Sequence, residues 1–328
     1  MRTRVLGKTG IKVSELGLGG LFVSSVGGDF QQSRAAILRA LELGVNYIDT
    51  APTYANSEEV IGRALEGYSG PLILSTKLGG RPQPFDARNR DHLYASIEES
   101  LRLLKRDYVD ILFIHEPDRP GQYDWWTDAQ TFTGPVCDVL DELKDRKVIR
   151  FTGLGGTTAY LMARIVRTGR FDVVLTAFNY SLLWREAEIE VLPAAVEQGM
   201  GIIIGSPLQQ GALARRYDAE VSQGAPWLSL PRRKQLLELY ALLDDTGLSI
   251  TEMALRFVLS NPAVSCTLMG ARSAEEVESN VAAVEKGPLP NEILARLDEI
   301  AAKVPFRPFD EPAGLPLGRP YSGPGIMH

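Results

Sequence analysis

Short apolar runs and amphipathic stretches alternate along almost the whole chain. The runs fall at residues 16–20, 47–49, 72–77, 109–115, 148–154, 173–178, 202–206 and 264–269. Between them, apolar residues recur at helical spacing over 33–43, 57–65, 90–104, 136–144, 159–167, 186–198 and 275–284. Further helical patterns cover 232–243, 251–259 and 292–302. Ahead of the first run, Arg4-Val5-Leu6 and Ile11-Lys12-Val13 flank Gly7-Lys8-Thr9-Gly10, the pattern of a small hairpin.

A strand that is followed by a helix and then another strand pairs in parallel, because the crossover returns the chain to the same end of the sheet. Eight such units, with no Gly/Ser/Pro linker between them, predict an α/β protein of one domain, a closed (β/α)8 TIM barrel with an N-terminal β-hairpin and extra C-terminal helices. An open doubly wound sheet with a small second domain would need a break in this rhythm, and the sequence has none. The single domain is expected over 1–328, with 305–328 as an irregular C-terminal tail, rich in Pro and Gly and without an apolar period. Gly17-Leu18-Gly19-Gly20 and Gly153-Leu154-Gly155-Gly156 follow strand-like runs, but Phe22 and Thr158 stand where a dinucleotide fingerprint needs its last glycine. Both patches read as tight turns.

Composition narrows the function without naming it. The 328 residues are 45% hydrophobic and 23% charged, with a net charge of −6, which is ordinary for a globular protein. No basic stretch points to a nucleic-acid partner. No apolar run is long enough for a membrane-spanning helix, so no membrane partner is expected. The first ten residues lack the apolar core of a signal peptide. Cys137 and Cys266 are far apart and lack metal-ligand spacing, so a reducing, cytoplasmic location is expected. His92, His115 and His328 are too scattered for a metal cluster, and no metal is expected.

In a barrel, the carboxyl ends of the strands share one rim. Asp49, Lys77 and His115 end the second, third and fourth runs, and Tyr54 follows Asp49 in the adjoining loop. Alone, each has an ordinary reading: a helix cap, a surface lysine, a packing tyrosine, a strand-end histidine. Together on one rim they suit proton transfer to or from a carbonyl oxygen. A phenol with a pKa near ~10 is too weak an acid for this at neutral pH. A lysine ammonium beside it would lower that pKa, and Asp49 would supply the lysine's counter-charge. His115 could hydrogen-bond the same oxygen.

These residues resemble the aldo-keto reductase superfamily, and the resemblance runs from the hairpin to Asn280. Asp49-Thr50-Ala51-Pro52-Thr53-Tyr54 is similar to its Asp-Thr-Ala-x-x-Tyr signature. Leu74-Ser75-Thr76-Lys77 and the run ending at His115 resemble its lysine and histidine strands. Gly205-Ser206-Pro207-Leu208, with Gly211, is similar to its cofactor loop, and 270–280 to its adenosine-phosphate segment. The resemblance implies an NAD(P)-dependent oxidoreductase in which Tyr54 is the general acid/base, supported by Lys77, Asp49 and His115. It places the cofactor, NAD or NADP, against Gly20, Asp49, Asn179, Ser206, Leu208, Gly211, Gly270, Arg272, Glu276 and Asn280. Glu276 would repel a 2′-phosphate and tilts the expectation toward NAD. Arg272 would attract one, and the two could also pair and cancel.

Departures from the family pattern are informative. Gly155-Gly156 stands where many members carry Ser-Asn, Ala177 where Gln is usual, and Gly205 where an aromatic is common. Asn179 is the candidate substitute for holding the nicotinamide carboxamide. The small residues resemble the branch containing L-galactose dehydrogenase and related aldose dehydrogenases. The expected partner is therefore a small-molecule carbonyl or sugar, with Phe22, Tyr54, His115, Trp125 and Trp126 on the substrate side. Asp118 and Arg119 could bind hydroxyls, while the tryptophans could equally pin a loop to the barrel. Two other classes are weighed: a nicotinamide-binding regulatory subunit, as in potassium-channel β subunits, and a metal-dependent hydrolase, for which His115 alone is too little. Substrate identity and oligomeric state stay open.

Overall fold

The computed structural model describes residues 1–306 and 315–320. A two-stranded antiparallel hairpin, β1 (Thr3–Val5) and β2 (Lys12–Ser14), precedes the barrel. The barrel strands are β3 (Leu16–Gly19), β4 (Tyr47–Asp49), β5 (Ile73–Leu78), β6 (Val109–His115), β7 (Ile149–Gly156), β8 (Val173–Ala177), β9 (Gly201–Gly205) and β10 (Cys266–Met269). They pair in parallel in sequence order, and β10 closes on β3. The outer helices are α1 (Phe30–Glu42), α2 (Ser57–Ala64), α3 (Arg90–Leu104), α4 (Pro135–Asp145), α5 (Tyr160–Val166) and α6 (Val191–Glu197). They continue as α7 (Asp218–Gln223), α8 (Leu230–Thr246), α9 (Ile250–Ser260), α10 (Ala274–Glu285) and α11 (Asn291–Ala301). The TIM barrel with its hairpin and added C-terminal helices is thus the observed fold.

Two layers of core explain why the strands read as continuous apolar runs rather than alternating ones. Inward residues, among them Tyr47, Ile73, Ile111, Phe113, Leu175, Ile203 and Leu268, fill the barrel. Their outward neighbours, such as Ile48, Leu74, Leu112 and Ile114, pack under the helices in a separate and larger core. On β7 the inward position 153 must be glycine, because a Cβ there would lie 2.3 Å from the Phe113 ring.

The hairpin plugs the amino-terminal end of the barrel. Leu6 and Val13 join the interior cluster. Gly7 lies so close to the start of β9 that a Cβ would sit 2.2 Å from the Gly201 amide nitrogen. The Arg4 guanidinium donates to the carbonyls of Leu259, Asn261 and Val264 at 2.7–3.1 Å, and its Nε to Glu15 at 2.7 Å. The floor is therefore closed, and chemistry is left to the opposite rim.

Helix boundaries follow local chemistry. Asp29 and Ser249 each accept the amide three residues on, capping α1 and α9. The pattern expected over 186–198 is instead a 3-10 turn at Glu186–Glu188 followed by α6. Pro193 has no amide to offer a helix begun at 186, so the chain must restart. Helix α7 was not expected. Most of the tail at 305–328, including His328, lies outside the described residues; within it, 315–320 is irregular, and Leu315 and Leu317 are buried in the outer core.

Candidate active site

Strand register brings the rim residues together. Asp49 is the last residue of β4, Lys77 lies near the end of β5, and His115 ends β6. Tyr54 stands in the loop between β4 and α2, which is held by Tyr54 N–H to Ala51 O at 3.1 Å and Ser57 N–H to Tyr54 O at 2.9 Å. Thr50 Oγ1 donates to Ser57 Oγ, which in turn donates to Gly20 O at 2.8 Å, tying this loop to the end of β3.

Lys77 Nζ donates to Asp49 Oδ2 at 2.6 Å and to Thr50 O at 2.7 Å. The other Asp49 oxygen accepts from Ser75 Oγ at 2.7 Å. Because that hydroxyl's proton is committed to Asp49, Tyr47 OH donates to Ser75 Oγ, also at 2.7 Å. Both ions are buried, so the pair needs these extra bonds to offset the loss of water. The ammonium also lies 4.8 Å from the centre of the Tyr54 ring. The His115 ring meets that of Tyr54 edge to face, with centroids 6.0 Å apart. All four expected residues therefore converge.

Their electrostatics correct one expectation. Lys77 does pull the Tyr54 hydroxyl down, but burial pushes it up more strongly, and Asp49 adds to that push, so the net direction is upward. The phenol holds its proton at neutral pH. Burial also disfavours the Lys77 ammonium, yet Asp49 and Tyr54 together outweigh it and keep the lysine charged. Burial, reinforced by Lys77, lowers His115 to about 3, so the imidazole is neutral. Among the described residues its Nδ1 is buried without a hydrogen-bond partner.

The segment after β6 decides between the two readings of its tryptophans. Trp125 is 0% exposed and donates its indole N–H to His115 O at 3.0 Å. Trp126 is 7% exposed and donates to Pro117 O at 2.9 Å. Neither offers a ring face to substrate; both pin the loop, because an indole buried in the core must spend its N–H on a backbone carbonyl. Asp118 is likewise occupied: one carboxylate oxygen takes the amides of Thr157 and Thr158 at 3.1 and 2.6 Å. Its other oxygen explains Gly156, where a Cβ would lie only 2.1 Å away. An asparagine at that place would displace Asp118.

On the cofactor side, Asn179 Nδ2 donates to Thr157 O at 2.8 Å, beside the Gly155-Gly156 end of β7. Gly270 carries no side chain where a Cβ would meet the Phe22 ring at 2.8 Å. The Arg272 guanidinium lies over that ring, 4.8 Å from its centre. Of the readings left open for Arg272 and Glu276, the side-chain pair is not formed. Glu276 instead reaches back to the Arg272 backbone amide at 2.8 Å while Ser273 accepts from Glu276 N–H, a reciprocal cap at the start of α10. Asn280 is buried beneath, its Nδ2 3.8 Å from Met269 Sδ. Gly20, Ser206, Leu208 and Gly211 lie on the same rim, in the segments that follow β3 and β9. Gly211 is in a left-handed conformation with open space where a Cβ would be. Bare backbone along these turns and an exposed guanidinium at α10 fit a dinucleotide.

Sequence reasoning passed over Glu116. It directly follows His115, is buried, and is pushed up to about 7 by that burial and by Asp118. The available signal was a charged residue adjoining a rim histidine.

Fold and rim together define a class, the (β/α)8 oxidoreductases. The Aldo/keto reductase family model matches residues 15–302, and the chain belongs to that family. It is 31% identical to L-galactose dehydrogenase of Arabidopsis thaliana, over 95% of this chain and 97% of that one. It is 28% identical to the NADH-specific methylglyoxal reductase of Escherichia coli, over 87% and 94%. A probable voltage-gated potassium channel subunit beta of Arabidopsis thaliana is 27% identical over 94% and 99%. Among solved structures, the holo form of aldo-keto reductase AKR11C1 from Bacillus halodurans superposes with a TM-score of 0.75 at 28% identity, covering 93% of this chain and 98% of that one. No helix among the described residues is long and apolar enough to cross a membrane.

Proposed function

We propose that this protein interconverts a carbonyl and an alcohol on an aldehyde, ketone or aldose-type sugar, with NAD or NADP as cofactor and Tyr54 as general acid/base. The observation that carries this reading is the buried Lys77–Asp49 ion pair beside the Tyr54 ring. The nicotinamide, when bound, gives or takes the hydride. Gly20, Ser206, Leu208, Gly211, Gly270, Arg272, Glu276 and Asn280 would hold the dinucleotide, with Asn179 at the nicotinamide end. In reduction, Tyr54 donates its retained proton to the carbonyl oxygen as that oxygen gains negative charge. Lys77 stabilises the phenolate left behind, and Asp49 keeps the lysine charged and aimed. Neutral His115 can donate one hydrogen bond to the same oxygen. In oxidation the phenolate takes the hydroxyl proton. The two free cysteines, Cys137 and Cys266, are compatible with a reducing cytoplasm.

Turnover of a panel of aldehydes, ketones and aldoses, followed by absorbance of the reduced nicotinamide, tests the reading. Similarity to channel β subunits favours one other, a cofactor-binding regulatory subunit. Tight cofactor binding with no turnover across the panel would support that alternative and overturn the first.

Cofactor preference is expected to favour NAD. The Glu276 carboxylate sits in the first turn of α10 and takes the amide of Arg272. Two like charges 4 Å apart in water cost about 1 kcal/mol, or about fivefold in binding. Glu276→Gln should shift kcat/KM toward NADP by about that factor. A wild-type preference for NADP above ~10-fold, unmoved by the substitution, would show that Arg272 decides the matter.

A further inference from the structure

Glu116 is held in place more firmly than its chemistry requires. It is 8% exposed, and its φ of 51° is a left-handed conformation that residues with a Cβ adopt rarely. Its amide donates to Gly155 O at 2.7 Å, fixing it against the end of β7. One carboxylate oxygen accepts from Thr157 Oγ1 at 2.9 Å, and among the described residues no other donor reaches the group. A carboxylate has roughly four acceptor sites, so most of this one's capacity is free, and its second oxygen is open to solvent rather than sealed in the core. Its charge is felt by Tyr54 from the loop after β4 and by Tyr123 from the loop after β6, while Lys77 acts on it from β5. Glu116 directly follows His115 at the end of β6, and so stands on the rim that carries Tyr54 and Lys77.

A carboxylate with one fixed donor and a free oxygen facing the rim can accept further hydrogen bonds from a bound molecule. An aliphatic aldehyde has no donor to offer, and a keto acid or sugar phosphate would bring a further negative charge beside Glu116 and Asp118. A neutral polyol brings hydroxyl donors. We infer that Glu116 is a specificity-determining residue, whose carboxylate accepts a hydrogen bond from a substrate hydroxyl away from the reacting carbon and so selects uncharged polyhydroxylated substrates. This rests on the carbonyl–alcohol reading above.

The preference has a pH signature. Burial and Asp118 push Glu116 up to about 7, against the opposing pull of Thr157, Arg119 and Lys77. Tyr54 and Tyr123, which also face it, stay neutral in this range because burial raises both. The carboxylate is therefore a full acceptor above about pH 7, and selection for hydroxyls weakens as pH falls through that value.

The test compares kcat and KM of the holoenzyme for neutral aldoses and for butanal, in wild type and Glu116→Gln. A hydrogen bond to a charged group corresponds to about 10-fold or more. Glu116→Gln should raise KM for the best aldose by at least that factor relative to KM for butanal, while kcat shifts alike for both substrates, because losing the Glu116 charge acts on Tyr54 whichever substrate is bound. In wild type, one deoxy analogue of that aldose should lose a similar factor, a readout independent of the variant's folding. Equal changes in KM for aldose and butanal, or deoxy analogues as good as the parent, would overturn the inference. Turnover of butanal with no aldose accepted would overturn it too and leave the carbonyl–alcohol reading standing. No turnover of either class overturns both.

Discussion

Tyr54→Phe is expected to lower kcat by ~10²-fold or more in both directions, the contribution typical of a positioned general acid/base. The ring is kept, so its edge-to-face contact with His115 and its place over Lys77 survive. Only the hydroxyl is lost, and with it the proton that burial holds on the phenol. Cofactor affinity, measured by fluorescence titration, should change little, because the dinucleotide-side residues lie elsewhere on the rim. Wild-type kcat in a folded Tyr54→Phe protein would refute the assignment.

Lys77→Met should produce a second large effect, in two measurements. The first is stability. Removing the ammonium leaves the Asp49 carboxylate buried with Ser75 Oγ as its remaining side-chain donor, and breaking a buried pair in this way costs about 3–5 kcal/mol. Urea unfolding should register a loss of that order. The second is pH dependence. Lys77 is the group that pulls the Tyr54 hydroxyl down, so its removal moves the phenol further up. Oxidation needs phenolate, hence its rise with pH should move to higher pH. Reduction needs phenol, hence its activity should persist to higher pH. An unchanged oxidation profile in a folded, cofactor-binding variant would sink the role given to Lys77.

The barrel was legible because each strand is covered on both sides, which writes a continuous apolar run, and because the helices keep a clear period. The tetrad was legible for a different reason: topology alone places the last polar residue of each strand on one rim. What the sequence withheld depends on packing between distant segments. Trp125 and Trp126 read equally well as sugar platforms or as loop pins, and only their N–H bonds to His115 O and Pro117 O decide it. Gly156 was visible as a departure from the family pattern, but its cause, the Asp118 carboxylate in the space of a side chain, lies across a loop. The direction of the Tyr54 shift is a contest between burial and one ammonium, and a sequence names the ammonium without weighing the burial. Arg272 and Glu276 have the spacing of an ion pair, yet a backbone amide and an aromatic ring claim them first.

The plugged floor has a bearing on how the chain assembles during synthesis. Arg4 binds carbonyls at Leu259, Asn261 and Val264, and β3 finds one of its two neighbours only when β10 has been made. A nascent chain that ends between residues 205 and 259 has neither a sealed base nor a closed sheet, and it carries two unpaired strand edges, on β3 and β9. Until the ribosome has delivered that last strand, those edges are open to pairing with other chains.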